Sequence, residues 1–234
     1  MTIKGLFKSL LSIVADFFYP PHCSVCDKYI EHREDILCAK CSAKILAIGR
    51  CPESKMPIKE VWRITKYHDG TREMIRNLKY NNGLNKLPAS NKILERAIKV
   101  EPQLLVLLNN IDVAVAVPLH AEREKKRGYN QVEVIFGDWL NRHNVHMDRL
   151  LLRTKATEHL FSLSPVERRK QMVDAFSLAD GAVTKVKGKS ILILDDIFTT
   201  GTTMSECAKV LKLNGAAEIY GLALASDFGA SSNK

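Results

Sequence analysis

The chain has 234 residues, 46% of them apolar, which suits one large domain or one domain plus a small module and excludes a disordered polymer. Its formal charge of +9 suits partners that carry phosphate, whether small phosphorylated ligands or nucleic acid.

At the N-terminus, Ile3, Leu6, Phe7, Leu10, Val14, Phe17 and Phe18 fall near one helical face. The longest uncharged run there, residues 9–15, is far shorter than the roughly 20 apolar residues a membrane span needs, and no small-residue cleavage site follows it. The expectation is an amphipathic helix docked on its own protein, with no membrane span and a cytoplasmic location. Pro20-Pro21 ends that helix, because proline cannot continue one and restricts the residue before it.

A cysteine-rich segment follows. Cys23-x2-Cys26-x11-Cys38-x2-Cys41 supplies four thiolates, the tetrahedral set that structural Zn²⁺ prefers, although an iron–sulfur cluster uses the same donors. In a chain without an export signal, paired CxxC knuckles favour metal over disulfides. A closed four-cysteine site leaves no position for substrate, so its task is folding or partner contact. Cys51 stands apart from this set, because Ser54 occupies the position that would complete a third CxxC. Cys207 reads as a core residue.

Residues 61–67 read as a strand, and 71–80 as a helix with Thr71 as its N-cap. Asn81-Asn82-Gly83 breaks that helix, and a second is expected over 85–100. The apolar run 111–118 has the length and continuity of a strand covered on both faces. A polar turn over 120–128 should then lead to a helix over 130–142, which Asn130 can cap. Residues 190–196 repeat the pattern of buried strand, polar loop and helix (202–214), and 217–225 give a further strand. Strands that alternate with helices indicate an α/β fold with a parallel sheet flanked by helices. Two parts are expected: residues 1–60 as a helix and zinc module, and residues 61–234 as the α/β domain. The final residues, 229–234, are expected to be loose.

The densest chemistry lies in Ile191-Leu192-Ile193-Leu194-Asp195-Asp196-Ile197-Phe198-Thr199-Thr200-Gly201-Thr202-Thr203. Ligands of open α/β sheets bind at the carboxyl ends of strands, where this stretch puts two acids. The threonines and Gly201 offer hydroxyls and backbone N–H groups ahead of a helix N-terminus, which forms an anion cradle. Carboxylates repel phosphate, so the two halves must address different parts of one ligand; a sugar phosphate fits. No lysine follows the glycine as a P-loop requires, which argues against a Walker site. After the other buried strand, Arg123, Lys125, Lys126 and Arg127 could meet a pyrophosphate, and Arg123 and Arg127 offer bidentate contacts. His120 reads as an ordinary loop histidine.

This block resembles the 5-phosphoribosyl-1-pyrophosphate (PRPP) motif of type I phosphoribosyltransferases. The resemblance implies that Asp195 and Asp196 contact the ribose hydroxyls, while Thr199, Thr200, Gly201, Thr202 and Thr203 hold the 5-phosphate. It further implies Mg²⁺ bound with PRPP. With the four-cysteine knuckle, the V-P-L-H…R-G-Y-N-Q segment (117–131) and the E-R-R…A-F segment (167–176), the chain resembles the ComF family of competence-associated phosphoribosyltransferase-like proteins over nearly its full length. That family implies a role in DNA uptake, with PRPP, single-stranded DNA and a competence translocase or helicase as candidate partners. A non-catalytic DNA-binding or scaffold role on the same fold is the alternative. Leu160 and Gln171 depart from the family pattern, which weakens the contacts expected from their segment.

Overall fold

The computed structural model describes residues 20–31, 36–51, 57–80, 84, 87–155 and 173–227. The expected N-terminal helix, the break at 81–83, Leu160, Gln171, the 168–170 basic cluster and the C-terminal tail lie outside the described residues.

Its elements in chain order begin with α1 (Ala39–Lys44), β1 (Leu46–Arg50), β2 (Glu60–Lys66), α2 (Asp69–Tyr80), α3 (Leu87–Val100) and α4 (Gln103–Asn109). The middle contains β3 (Val113–Ala116), α5 (Ala121–Arg127), α6 (Gln131–Arg142), β4 (Leu151–Arg153) and β5 (Phe176–Leu178). The chain closes with α7 (Val183–Val186), β6 (Ser190–Phe198), α8 (Thr202–Leu213) and β7 (Glu218–Ser226).

The main sheet runs β1-β2-β7-β6-β3, and β4 pairs with β5 separately. The pairs β2–β7, β7–β6 and β6–β3 are parallel, as expected for strands joined through helices. β1 is antiparallel to β2, so the segment after the cysteine knuckle runs directly into the sheet edge.

Period-two alternation along β6 divides the core. Leu192 and Leu194 point to the face covered by α2, α3, α4 and α6, while Ile191 and Ile193 point to the face covered by α8 and the β4–β5 pair. All four are fully buried, each stabilising the fold by roughly 1.5–3 kcal/mol. Gly221 lets α8 approach the second face: a Cβ there would collide with Met204 Sδ and lie 3.1 Å from Val61 Cγ2.

Several elements differ from the sequence expectations. Residues 121–127, expected as a turn, form α5. Glu122 and Glu124 stand in its first turn and Lys125, Lys126 and Arg127 in its last, which complements the helix dipole. Gly128 closes it at φ 83°, where a side chain would be strained. α2 begins at Asp69, so Thr71 is inside the helix and not its cap; its hydroxyl instead donates to Lys66 O and accepts from His68 N. α4, β1 and the β4–β5 pair had no counterpart in the expected elements. They are short, and their stability comes from tertiary packing more than from local periodicity.

Candidate functional site

β6 outruns its neighbour β3. The paired register ends at Ala116↔Leu194, whereas on the other side β6 remains paired with β7 to Phe198↔Ser226. Asp195 and Asp196 therefore lie where the β3 side of the sheet opens, inside the strand and not beyond its end. The alternation that separates the core faces also separates these neighbours. Asp195 continues the Ile191–Ile193 row toward α8, and Asp196 continues the Leu192–Leu194 row toward α2 and α6.

Their surroundings differ accordingly. Asp196 is buried, and its Oδ2 lies 2.7 Å from Lys79 Nζ of α2 while accepting from Gln131 Nε2 of α6 at 2.8 Å. Gln131 also accepts from Arg127 Nη1 through its Oε1, so one chain of contacts runs Lys79–Asp196–Gln131–Arg127. Asp195 is partly exposed, and its Oδ1 accepts from the Asp196 backbone N–H at 2.8 Å. Desolvation and the adjacent Asp196 charge push the Asp195 carboxyl up to about 8, against the opposing influence of Lys79, that N–H and Arg153. Arg153, at the end of β4, stacks on the Phe176 ring at 5.7 Å. Burial and the neighbouring Arg123 charge hold it below its ordinary range, while Cys207 and Asp195 pull it up. Cys207 is fully buried in α8, and burial together with Asp195 pushes its thiol well above the usual value.

The loop after β6 turns at Gly201, whose φ of 73° and ψ of 0° belong to the left-handed region. Gly201 occupies the N-cap of α8 and offers no side-chain hydrogen bond to the first turn. Thr200 and Thr202 face each other across that turn, their hydroxyls 2.9 Å apart, and Thr199, Thr202 and Thr203 are partly exposed. On the β3 side, Asn130 caps α6 by accepting from Val132 N at 3.0 Å and donates to Val117 O at 3.0 Å. Tyr129 donates to Leu78 O at 2.7 Å, fixing the R-G-Y-N-Q turn against the end of α2. Arg123 is exposed on α5 and Arg127 half-buried at its end, on one loop edge with the acids.

Sequence reading missed Lys79 and Arg153 and gave Gln131 no role. Lys79 did carry a signal. It lies four residues after Ile75 on the face of α2 that also buries Met74 and Leu78, an unfavourable place for a cation without a buried partner.

The four cysteines form a separate centre. Cys23, Cys26, Cys38 and Cys41 present sulfurs that all lie within 4.8 Å of one another. Cys26 and Cys38 Sγ are 3.7 Å apart, close to the roughly 3.8 Å edge of a tetrahedral zinc–thiolate site. Cys38 caps α1, its Sγ accepting from Cys41 N at 3.4 Å. Burial and the other three thiols push Cys41 up, a penalty a dication would relieve, so the donor set fits zinc. The centre is tied to α2: a Cβ on Gly70 would collide with Val25 Cγ1. Among the described residues no helix is long and apolar enough to cross a membrane.

A left-handed glycine turn after a strand that carries paired acids, on a parallel sheet flanked by helices, fits a phosphoribosyltransferase-like α/β protein, and residues 158–228 match the phosphoribosyl transferase domain family. The DNA utilization protein YhgH of Escherichia coli K12 is 28% identical over 204 residues, covering 84% of this chain and 86% of its own. Competence protein F of Haemophilus influenzae is 34% identical over 119 residues, 49% of this chain and 51% of its own. The solved glutamine PRPP amidotransferase of B. subtilis aligns over 64% of this chain at 15% identity and a TM-score of 0.39, the chain spanning 30% of that protein's length. The domain match and the two curated relatives support an assignment to the ComF family.

Proposed function

We propose that this chain binds PRPP with Mg²⁺ at the β6–α8 turn and serves DNA uptake as a phosphoribosyltransferase-family protein of the cytoplasm. The observation that carries the reading is the left-handed Gly201 turn. It leaves the N-terminus of α8 without a side-chain cap directly after the strand that carries the two acids, which supports an anion site next to groups that can accept hydroxyls. Thr199 to Thr203 hold the 5-phosphate, Asp195 and Asp196 address the ribose, and Arg123 and Arg127 meet the pyrophosphate. Mg²⁺ bound with PRPP would supply charge neutralisation to the leaving pyrophosphate. In transfer, the bond from ribose C1 to the pyrophosphate oxygen breaks, its electron pair leaving with pyrophosphate, while C1 bonds to an acceptor such as a base, an amine or a nucleic acid. The protein's part is positioning and charge stabilisation. The cysteine centre holds structural zinc in a module of residues 1–60, with β1 joining it to the domain of residues 61–234.

A second reading draws on the relatives' names and on the exposed Lys125 and Lys126 of α5. There the fold acts without turnover, holding single-stranded DNA or a competence translocase. A thermal melt with PRPP and Mg²⁺ separates the two. At 100 times its dissociation constant, a native-state ligand adds about 2.7 kcal/mol. For a chain of this size that raises Tm by roughly 5–11 °C. The shift should vanish in Asp195→Asn/Asp196→Asn. No shift in the folded, zinc-loaded wild type would discard the PRPP reading and leave the scaffold ahead.

A further inference from the structure

The contact chain Lys79–Asp196–Gln131–Arg127 joins two parts of the site that the sequence treats separately. One end is a carboxylate on β6; the other is an arginine at the end of α5. The link is a single side chain, Gln131, whose amide donates to Asp196 Oδ2 and whose carbonyl oxygen accepts from Arg127. Gln131 is 5% exposed and opens α6 directly after the Asn130 cap, so its backbone is fixed by hydrogen bonds at Val132 and Val117. A glutamine amide has one donor end and one acceptor end, and here each end faces the only kind of group it can serve. Reversing the amide would set its NH2 against a guanidinium and its oxygen against a carboxylate, so the orientation is determined. Lys79 secures the far end, with 13% of its side chain exposed against 7% for Asp196.

We infer that Gln131 is a positioning residue that couples the ribose end of the site to its pyrophosphate end, holding Arg127 in register with Asp196. This rests on the PRPP reading of the site. Asp196, anchored by Lys79 across the opening, is the fixed point, and Arg127 is placed relative to it. Loss of Gln131 removes that hold on Arg127 while leaving the Lys79–Asp196 pair intact. The anion then meets a guanidinium that has lost this contact to the Asp196 side of the site.

The test uses the full-length, zinc-loaded chain with Mg²⁺ and two simple probes, inorganic pyrophosphate and ribose 5-phosphate, each titrated by calorimetry into wild type and Gln131→Leu. Loss of one positioned, charge-assisted contact should weaken pyrophosphate about tenfold or more, with ribose 5-phosphate changed less than about threefold. In an Arg127→Gln background the same Gln131→Leu change should cost pyrophosphate nothing further. Purely structural damage would cost affinity in both backgrounds. Gln131→Glu preserves volume and the contact to Arg127 but cannot donate to Asp196, so it should also weaken pyrophosphate, and it serves if the leucine variant fails to fold. Unchanged pyrophosphate affinity in these variants, or an equal loss with and without Arg127, overturns the coupling alone. A wild type that binds neither probe nor PRPP overturns the underlying reading as well.

Discussion

Replacing Asp195 with asparagine should change how stability depends on pH, in a direction the structure fixes. An unfolded aspartate titrates near 3.9, whereas burial and the Asp196 charge push Asp195 in the folded chain up to about 8. Between those values the folded chain holds a proton that the unfolded chain has released. The unfolded state therefore binds fewer protons, and stability falls as pH rises. The contribution is fully present below about pH 4 and is lost as pH passes through about 8. A shift of that size taken at face value would be worth roughly 5–6 kcal/mol. Asp195 is partly exposed, so solvent screening reduces a realistic figure to about 2–3 kcal/mol, or roughly 4–12 °C in Tm for a chain of this length. Asparagine mimics the protonated acid in shape and charge. The advantage of Asp195→Asn over wild type should thus be small near pH 5 and grow toward pH 8.5. Melts of both proteins from pH 5 to 8.5, without ligand, read the effect, because titrating groups remote from Asp195 cancel in the difference. Parallel curves would refute the burial argument. The same titration reaches the ligand: Asp195 accepts a ribose hydroxyl more strongly as the carboxylate than as the acid, so PRPP affinity should rise from pH 6 to 8.

Two further outcomes probe the supports of the site. Chelating zinc, or replacing Cys38 with serine, should lower the melting temperature and release one metal equivalent per chain, read by a colorimetric zinc assay, because the knuckle shares its core with α2 and α3. Lys79→Met should cost about 3–5 kcal/mol by leaving Asp196 as a buried charge without its cation, and Lys79→Met/Asp196→Leu should recover much of that in denaturant melts.

How much of this was legible in the sequence depends on the range of the interaction that fixes each feature. The Gly201 turn, the cap at Asn130 and the cysteine centre are written in short local motifs, and local chemistry specifies them. β6 and β7 were legible because both faces are covered, which yields unbroken aliphatic runs. α5 was read as a turn because its pattern of seven charged or small residues has no apolar face. What makes it a helix is the order of its charges, acids before bases, and the glycine that stops it. Lys79 and Arg153 were not read as site residues because their partners lie on distant strands, and only the crossing of α2 and β4 over the opened edge of β6 brings them in.

The adjacent acids show what residue identity leaves open. Asp195 and Asp196 are the same residue in neighbouring positions, and the sequence assigns them one task. On a strand, adjacent side chains face opposite ways. One meets α2 and α6, where Lys79 and Gln131 provide a cation and a donor. The other turns to the α8 face, where desolvation and the Asp196 charge push its carboxyl up, with Lys79 and Arg153 opposing. The pair is thereby divided between a carboxyl anchored by Lys79 and Gln131 and one pushed up to about 8. Exchange of the two environments would need only a one-residue slip of β6. Such a slip would turn Leu192 and Leu194 from one core face to the other, and the aliphatic row that makes the strand legible also holds the acids in their separate roles.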